Sequence, residues 1–145
     1  MIALDTNILV SARRAEMPHH AAASALIGQL ITGDEAWAIP WPCIYEFIRV
    51  VTHPRGFKPP SRLAVVLEDL QSLFGSPSLL LLGEGPGHAA SMRQELLGAA
   101  ATGNLAFDAH IAALVRQHGV TELWTLDRDF HRFPGLRIRN PFAIA

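Results

Sequence analysis

The chain has 145 residues, of which half are hydrophobic and 17% are charged. This balance predicts one folded domain over residues 1–145 and excludes a disordered protein. No apolar stretch reaches the roughly 18 residues that span a bilayer, and no basic, signal-like segment opens the chain. The single cysteine, Cys43, excludes an internal disulfide. We therefore expect a cytoplasmic protein without a membrane partner.

The formal net charge of −1 does not decide for or against nucleic-acid binding. Eleven of the twelve basic residues are arginines, and Lys58 is the single lysine. Setting aside the four acids discussed below leaves nine acids against twelve bases, so the remaining surface is net positive. Codon composition is an equally good explanation of the arginine bias, and both explanations stay open.

Strand and helix signals alternate along the first half of the chain. The spacing of apolar residues predicts a strand at 1–4, a helix at 7–14, a helix at 18–33, a strand at 36–39 and a helix at 42–53. Pro40 stops the second strand. Pro42 stands in the first turn of the following helix, where a proline costs little because the N–H it lacks has no partner there.

The second half continues the same alternation after a loop at 55–60. Apolar spacing predicts a helix at 61–74, a strand at 78–82, helices at 88–101 and 105–119, and strands at 122–126 and 136–140. Ser61 is the expected N-cap of the first of these helices. The pattern predicts an α/β/α sandwich around a mainly parallel sheet of four to five strands. Ligands of such sheets gather at the carboxyl ends of the strands.

Four acids fall near this predicted edge. Asp5 follows the first strand, Asp127 follows the fourth, and Asp108 stands near the start of the last long helix. Glu46 lies in an apolar helical stretch, where an uncompensated charge is costly. Each has an ordinary explanation: Asp5 as an N-cap, Asp108 as a charge favoured by the helix dipole. Glu46 has a possible ion pair with Arg49, and Asp127 a place in a polar turn.

Convergence of these carboxylates would require compensation. Two unit charges about 4 Å apart repel by roughly 4 kcal/mol at an effective dielectric of about 20, and several such pairs rival the stability of a small domain. A bound cation or protonation of some acids makes such a cluster tolerable. Oxygen ligands without histidine or cysteine select a hard ion, so we expect Mg²⁺, with Mn²⁺ also possible.

The motifs "LDTNILV", "FDAHIAALV" and "TLDRDF", with a glutamate in an early helix, resemble the PIN-domain ribonucleases. The likeness is strongest to the VapC toxins of VapBC toxin–antitoxin pairs and extends over nearly the whole chain. It implies an endoribonuclease that hydrolyses RNA phosphodiesters with metal-activated water.

The resemblance also implies the residues of the site. The family's acidic catalytic and metal-binding quartet maps onto Asp5, Glu46, Asp108 and Asp127. A further acid near the metal, present in some members, matches Asp129. Polar residues that support the site match Asn7 and Thr125. This chain departs from the family pattern at Phe107, where an asparagine usually precedes the third acid.

Partners follow from the same resemblance. It implies an RNA substrate, a VapB-type antitoxin laid across the groove near Asp5, and a homodimer. The helices of residues 42–76 resemble the elements that clamp the antitoxin. Arg13, Arg49 and Arg128 are candidate phosphate contacts, and Trp41 is a candidate surface for base stacking.

Two other functions stay open. One is a PIN-like RNA- or protein-binding module without turnover, which the presence of all four acids disfavours. The other is a small-molecule hydrolase, disfavoured because "GEGPGH" ends in His88 and fails the dinucleotide fingerprint, and no phosphate-binding loop is present. The seven histidines form no metal-binding spacing, and Cys43 is expected in the core. We expect Asp5→Asn to abolish cleavage because it removes one of the proposed catalytic acids. We expect the melting temperature to stay equal or rise because the substitution relieves repulsion among the acids.

Overall fold

The computed structural model describes residues 1–144. Its five strands form one parallel sheet: β1 (Ile2–Leu4), β2 (Trp37–Pro40), β3 (Leu79–Leu82), β4 (Glu122–Trp124) and β5 (Ile138–Arg139). The helices are α1 (Thr6–Arg13), α2 (His20–Thr32), α3 (Trp41–Thr52), α4 (Leu63–Phe74), α5 (His88–Gly98) and α6 (Leu105–Gln117). A 3₁₀ helix at Arg128–Arg132 joins β4 to β5. The predicted α/β class and parallel sheet are confirmed.

The strand order β3-β2-β1-β4-β5 places the first strand at the centre of the sheet. The connections from β1 to β2 and from β2 to β3 move the chain from the centre of the sheet to one edge. The connection from β3 to β4 returns it past β1 to the other half of the sheet. Because such crossovers are right-handed, α1 to α4 cover one face, and α5 and α6 cover the other. The result is the predicted α/β/α sandwich.

Burial of the central strands explains why they read as unbroken apolar runs. Ala3, Leu4, Ala38 and Ile39 are fully buried between the two helical layers, as is Leu123 of β4. Strands covered on both faces have no solvent side to alternate with. The reversal of strand order beside β1 leaves a crevice at the carboxyl ends of β1 and β4, where the following segments diverge.

Two predicted details of element ends are wrong. Pro40 is the last residue of β2 and does not merely follow it, since a proline at a strand's end sacrifices little of the ladder. Ser61 does not cap α4, whose N-cap position is Arg62 without a side-chain bond. The Ser61 hydroxyl is buried and accepts a hydrogen bond from Arg14 Nη1 at 3.1 Å. This bond links the end of α1 to the segment just before α4.

The remaining helix boundaries agree with the sequence to within a few residues. Helix α5 is joined to α6 by an ion pair between the buried Glu95 and the partly exposed Arg116. Gly119 adopts a left-handed φ of 66° where the chain turns towards β4. Among residues 1–144, no helix combines the length and apolar character needed to cross a membrane.

Candidate active site

Asp5 lies in the crevice at the end of β1, in a shell of donors. It is 4% exposed and forms the N-cap of α1. Its Oδ1 accepts hydrogen bonds from Thr6 N at 2.8 Å and from the Cys43 thiol at 3.5 Å. Its Oδ2 accepts from Thr125 Oγ1 at 2.7 Å and from Asn7 Nδ2 at 3.1 Å. Asp5 Oδ1 therefore caps α1, and Oδ2 is held by side chains. The role of Asp5 as an N-cap is compatible with a role in the site.

Opposing effects act on the ionisation of Asp5. Burial raises the pKa of this carboxyl, and the nearby charge of Glu46 acts in the same direction. The hydrogen bonds from Thr125, Thr6 and Cys43 act the other way because they favour the carboxylate. Cys43 is fully buried, which confirms its predicted place in the core. This burial raises the pKa of the thiol well above its usual range, which keeps it protonated as a donor.

Thr6 joins Asp5 to Glu46. Its backbone N–H donates to Asp5, and its hydroxyl donates to Glu46 Oε2 at 3.2 Å. The other oxygen of Glu46 lies 3.7 Å from Arg49 Nη2. The ion pair expected as the ordinary explanation is thus present, yet it leaves one carboxylate oxygen directed toward the site. Sequence reasoning missed Thr6, although it stands inside the "LDTN" motif.

Asn7 and Thr125 fix the segment that follows β4. Asn7 Nδ2 donates to Thr125 Oγ1 at 3.1 Å, and Asn7 Oδ1 accepts from Leu126 N at 3.1 Å. Thr125 Oγ1 also accepts from Asp127 N at 2.9 Å. One hydroxyl therefore connects Asp5 to the backbone of Asp127, and the two polar residues lie where a supporting role requires them.

A second group of acids faces Asp5 across the crevice. Carboxylate oxygens of Asp108, Asp127 and Asp129 lie within 4.8 Å of one another. Burial raises the pKa of Asp108 to about 7, and the charges of Asp127, Asp5, Asp129 and Glu46 add to the effect in that order. The four other acids therefore lie close enough for their charges to act on Asp108, and the charge of Glu46 also acts on Asp5.

The raised pKa of Asp108 predicts a pH-dependent metal affinity. A cation must displace the proton from any ligand that holds one. Because the pKa of Asp108 is about 7 without metal, we expect the apparent affinity for Mg²⁺ to be roughly tenfold weaker at pH 6 than at pH 8. Isothermal titration calorimetry at the two pH values measures this, with Asp108→Asn as the variant in which the dependence shrinks. Equal affinities at pH 6 and 8 would contradict the prediction.

Four of the five acids line a cleft of about 990 Å³, a usual size for a ligand site. They are Glu46, Asp108, Asp127 and Asp129, whereas the buried Asp5 is not among the lining residues. The basic residues of the cleft are Arg49 and Arg132. Its aromatic side chains include Tyr45 and Phe107, which are 71% and 70% exposed. Sequence reasoning missed Tyr45 and Arg132 because the patterns of α3 and of the 3₁₀ helix do not show which face borders the cleft.

Two of the three candidate phosphate contacts lie away from the cleft. Arg13 pairs with Asp69 of α4, with Nε 3.3 Å from the carboxylate, and Arg128 is not among the residues that line the cleft. Arg49 is at the cleft. Trp41 also borders it and is 37% exposed, as a base-stacking residue requires.

The chain is an α/β domain whose parallel sheet gathers carboxylates at the point where the strand order reverses, an arrangement that could hold a metal ion. The PIN domain model matches residues 2–136 of the chain. The chain therefore belongs to the PIN domain family, as the sequence motifs predict.

Individual relatives share most of their length with this chain. Ribonuclease VapC48 of Mycobacterium tuberculosis is 34% identical over 139 residues, covering 96% of each chain. VapC ribonuclease Mb2897 of Mycobacterium bovis is 36% identical over 141 residues, covering 97% of this chain and 95% of its own.

Solved structures share the fold at lower identity. Mycobacterium tuberculosis VapC20, described as a sarcin–ricin loop cleaving toxin, superposes with a TM-score of 0.65 at 16% identity over 94% of this chain and 99% of its own. VapBC2 from Rickettsia felis, bound to a DNA fragment from its promoter, gives a TM-score of 0.64 at 20% identity over 96% and 98%.

Proposed function

We propose that this protein is a magnesium-dependent endoribonuclease that acts as the toxin of a type II toxin–antitoxin pair. The observation that carries the proposal is the group of five acids at one sheet edge, where burial, together with the charges of the four neighbouring acids, raises the pKa of Asp108 to about 7. Relatives at 34% and 36% identity over nearly the whole chain are named VapC ribonucleases. The retained acids favour a nuclease over a binding module without turnover.

The donor set fits a hard divalent ion. Asp108, Asp127 and Asp129 offer oxygens within 4.8 Å of one another, and their mutual repulsion is what a cation would relieve. Asp5 and Glu46 complete the proposed set, directly or through water, because small hard ions keep several waters. Mn²⁺ suits the same oxygens. The chemistry supplied by such an ion is activation of water for attack on phosphorus and stabilisation of the charge that develops there.

Some residues of the protein orient the acids, and others are placed to accept a proton. Asn7 and Thr125 hold the Asp5 carboxylate and the Asp127 backbone in fixed positions, which limits reorganisation during the reaction. Glu46 and Asp127 are the proposed acceptors of the proton from the attacking water. Glu46 suits this role because its Thr6 bond fixes the carboxylate while 42% of its side chain stays exposed.

The cleft is suited to a nucleic-acid strand. Arg49 and Arg132 supply positive charge beside the acids, and the exposed rings of Tyr45 and Phe107 offer faces on which unpaired bases stack. Single-stranded or looped RNA is recognised in this way, since its bases are free to leave the helix.

An exposed apolar surface on α4 supports the proposed protein partners. Leu63, Leu67 and Phe74 are 54%, 49% and 37% exposed, which is costly unless another chain covers them. We propose a VapB-type antitoxin on this surface and a homodimer of the toxin, both in the cytoplasm. Light scattering of the toxin alone and with its co-expressed neighbouring gene product tests both assemblies.

Cleavage of a defined RNA with and without metal tests the catalytic proposal. We expect Mg²⁺-dependent cleavage that stops with EDTA, returns when Mg²⁺ is restored, and is lost in Asp5→Asn. The matched control is Asp34→Asn, an exposed acid after α2, which should cleave like the wild type. Cleavage by Asp5→Asn equal to that of the wild type would refute the proposal, and RNA binding without any cleavage would favour the binding module.

A further inference from the structure

Glu84, His88 and His110 form a cluster at the rim of the cleft, separate from the five acids. They come from the segment after β3, the first residue of α5 and the middle of α6. One ligand atom of each lies within 4.8 Å of the other two. His110 Nε2 is 2.5 Å from Glu84 Oε1, and the two imidazole rings are 5.5 Å apart. The crossover from β3 to β4 thus joins histidines whose spacing in the sequence shows no metal-binding pattern.

Gln117 favours one tautomer of the His88 ring. Its side-chain N–H₂ donates to Pro86 O at 3.4 Å, so its Oε1 faces His88 Nδ1, 3.0 Å away. An amide oxygen only accepts, so His88 Nδ1 carries the proton and Nε2 of the neutral ring keeps its lone pair. Metal-bound histidines are typically held this way, by an acceptor on the nitrogen remote from the metal.

A hydrogen bond between Glu84 and His110 explains the contact of these two residues but not the presence of His88 beside them. His88 packs edge-on against His110, with its ring orientation set by Gln117 rather than by Glu84. Two imidazoles and one carboxylate are the donors of three-ligand zinc sites, in which the fourth position is left to water or substrate. Mg²⁺, by contrast, prefers oxygen ligands alone.

We propose that Glu84, His88 and His110 bind a zinc-class divalent cation with one position open to the cleft. Glu84 and His110 both line the cleft beside Asp108. Binding there would turn one net negative charge into one net positive charge at the rim, where an RNA phosphate would pass. The cation would also tie the segment after β3 to α6, the helix that carries Asp108.

Cobalt spectroscopy on the full-length protein tests the site independently of RNA cleavage. Four-coordinate Co²⁺ with imidazole ligands absorbs visible light far more strongly than Co²⁺ in an octahedral oxygen site, because geometry and donor type set the spectrum. We expect one equivalent of Co²⁺ to give this strong absorption. It should persist in excess Mg²⁺ and in Asp108→Asn, and equimolar Zn²⁺ should abolish it.

Substitutions assign the ligands. His88→Ala and Glu84→Gln should each weaken Co²⁺ and Zn²⁺ binding at least about tenfold, whereas His53→Ala, at an exposed histidine after α3, should not. Glu84 is exposed, so Glu84→Gln reports on binding even if His88→Ala fails to fold. Absence of the strong band, its loss in excess Mg²⁺ or Asp108→Asn, or its survival in both ligand variants would overturn the proposal.

Discussion

Asp108→Asn is expected to lower the rate of RNA cleavage by a factor of about 10³ or more while making the metal-free protein more stable. Removal of residues that only orient metal ligands typically costs about 10- to 100-fold, so loss of a proposed direct ligand should cost more. Stability should rise because the substitution removes the charge that burial and four neighbouring acids most oppose.

The gain in stability should depend on pH in a defined way. The pKa of Asp108 is about 7 in the folded chain against 3.8 for the free group. The folded state therefore holds more protons between these values, and the stability of the wild type falls as pH rises through this window. Asparagine does not titrate, so the advantage of the variant should be absent near pH 4 and complete above pH 7. Because Asp108 is only half-buried, we expect about 1–2 kcal/mol after allowing for solvent screening.

Urea unfolding in EDTA at pH 4.5 and pH 7.5 measures this difference, with Asp34→Asn as the control without an expected gain. Excess Mg²⁺ should reverse the order, because the wild type gains binding energy that the variant has lost. A variant less stable than the wild type in EDTA at pH 7.5 would show that the acids do not repel one another in the folded state.

Thr125→Val is expected to lower cleavage about 10- to 100-fold and to cost about 1–3 kcal/mol of stability. The two side chains have nearly the same shape, so the change removes the hydroxyl and little else. That hydroxyl is buried, donates to Asp5 and accepts from Asn7 and from the Asp127 backbone. Its loss removes one of the four donors to Asp5 and leaves the Asp127 backbone N–H without its acceptor at the centre of the site.

Thr125→Ser provides the matched control because it keeps the hydroxyl and removes one methyl group. It should recover most of the cleavage, with a smaller stability loss from the cavity. A purely structural role would lower kcat in proportion to the folded fraction. A positioning role should instead weaken Mg²⁺ binding in the fully folded variant, measured by calorimetry below its melting temperature. Unchanged Mg²⁺ affinity and kcat in folded Thr125→Val would contradict a role for this residue in orienting the site.

The sequence predicts the sheet well because strands depend on local signals, whereas the roles of the acids stay predictions. Unbroken apolar runs mark strands buried on two faces, and the acids that follow them must meet where parallel strands end. The contacts of Asp5 argue against the gain in stability that the sequence predicts for Asp5→Asn, because an amide cannot accept hydrogen bonds from all four donors around this side chain. We therefore expect the gain in stability from Asp108→Asn instead. The raised pKa of Asp108 depends on packing, which the spacing of residues in the sequence does not reveal.

What the sequence does not show depends on contacts between distant segments. The role of Thr6 requires α3 to cross α1 so that its hydroxyl reaches Glu46. The cluster of Glu84, His88 and His110 requires the segment after β3 to lie against α6. Ser61 is misassigned because a serine before a helix usually caps it, whereas a bond to Arg14 uses its hydroxyl here.

The central position of β1 has a consequence for biosynthesis. Asp5 leaves the ribosome well before the hydroxyl that holds it, which belongs to Thr125, 120 positions later. At about 5–20 residues per second, translation separates the two by about 6–24 seconds. A nascent chain that ends before β4 therefore lacks the hydroxyl that orients Asp5, so the acidic site is assembled only late in synthesis.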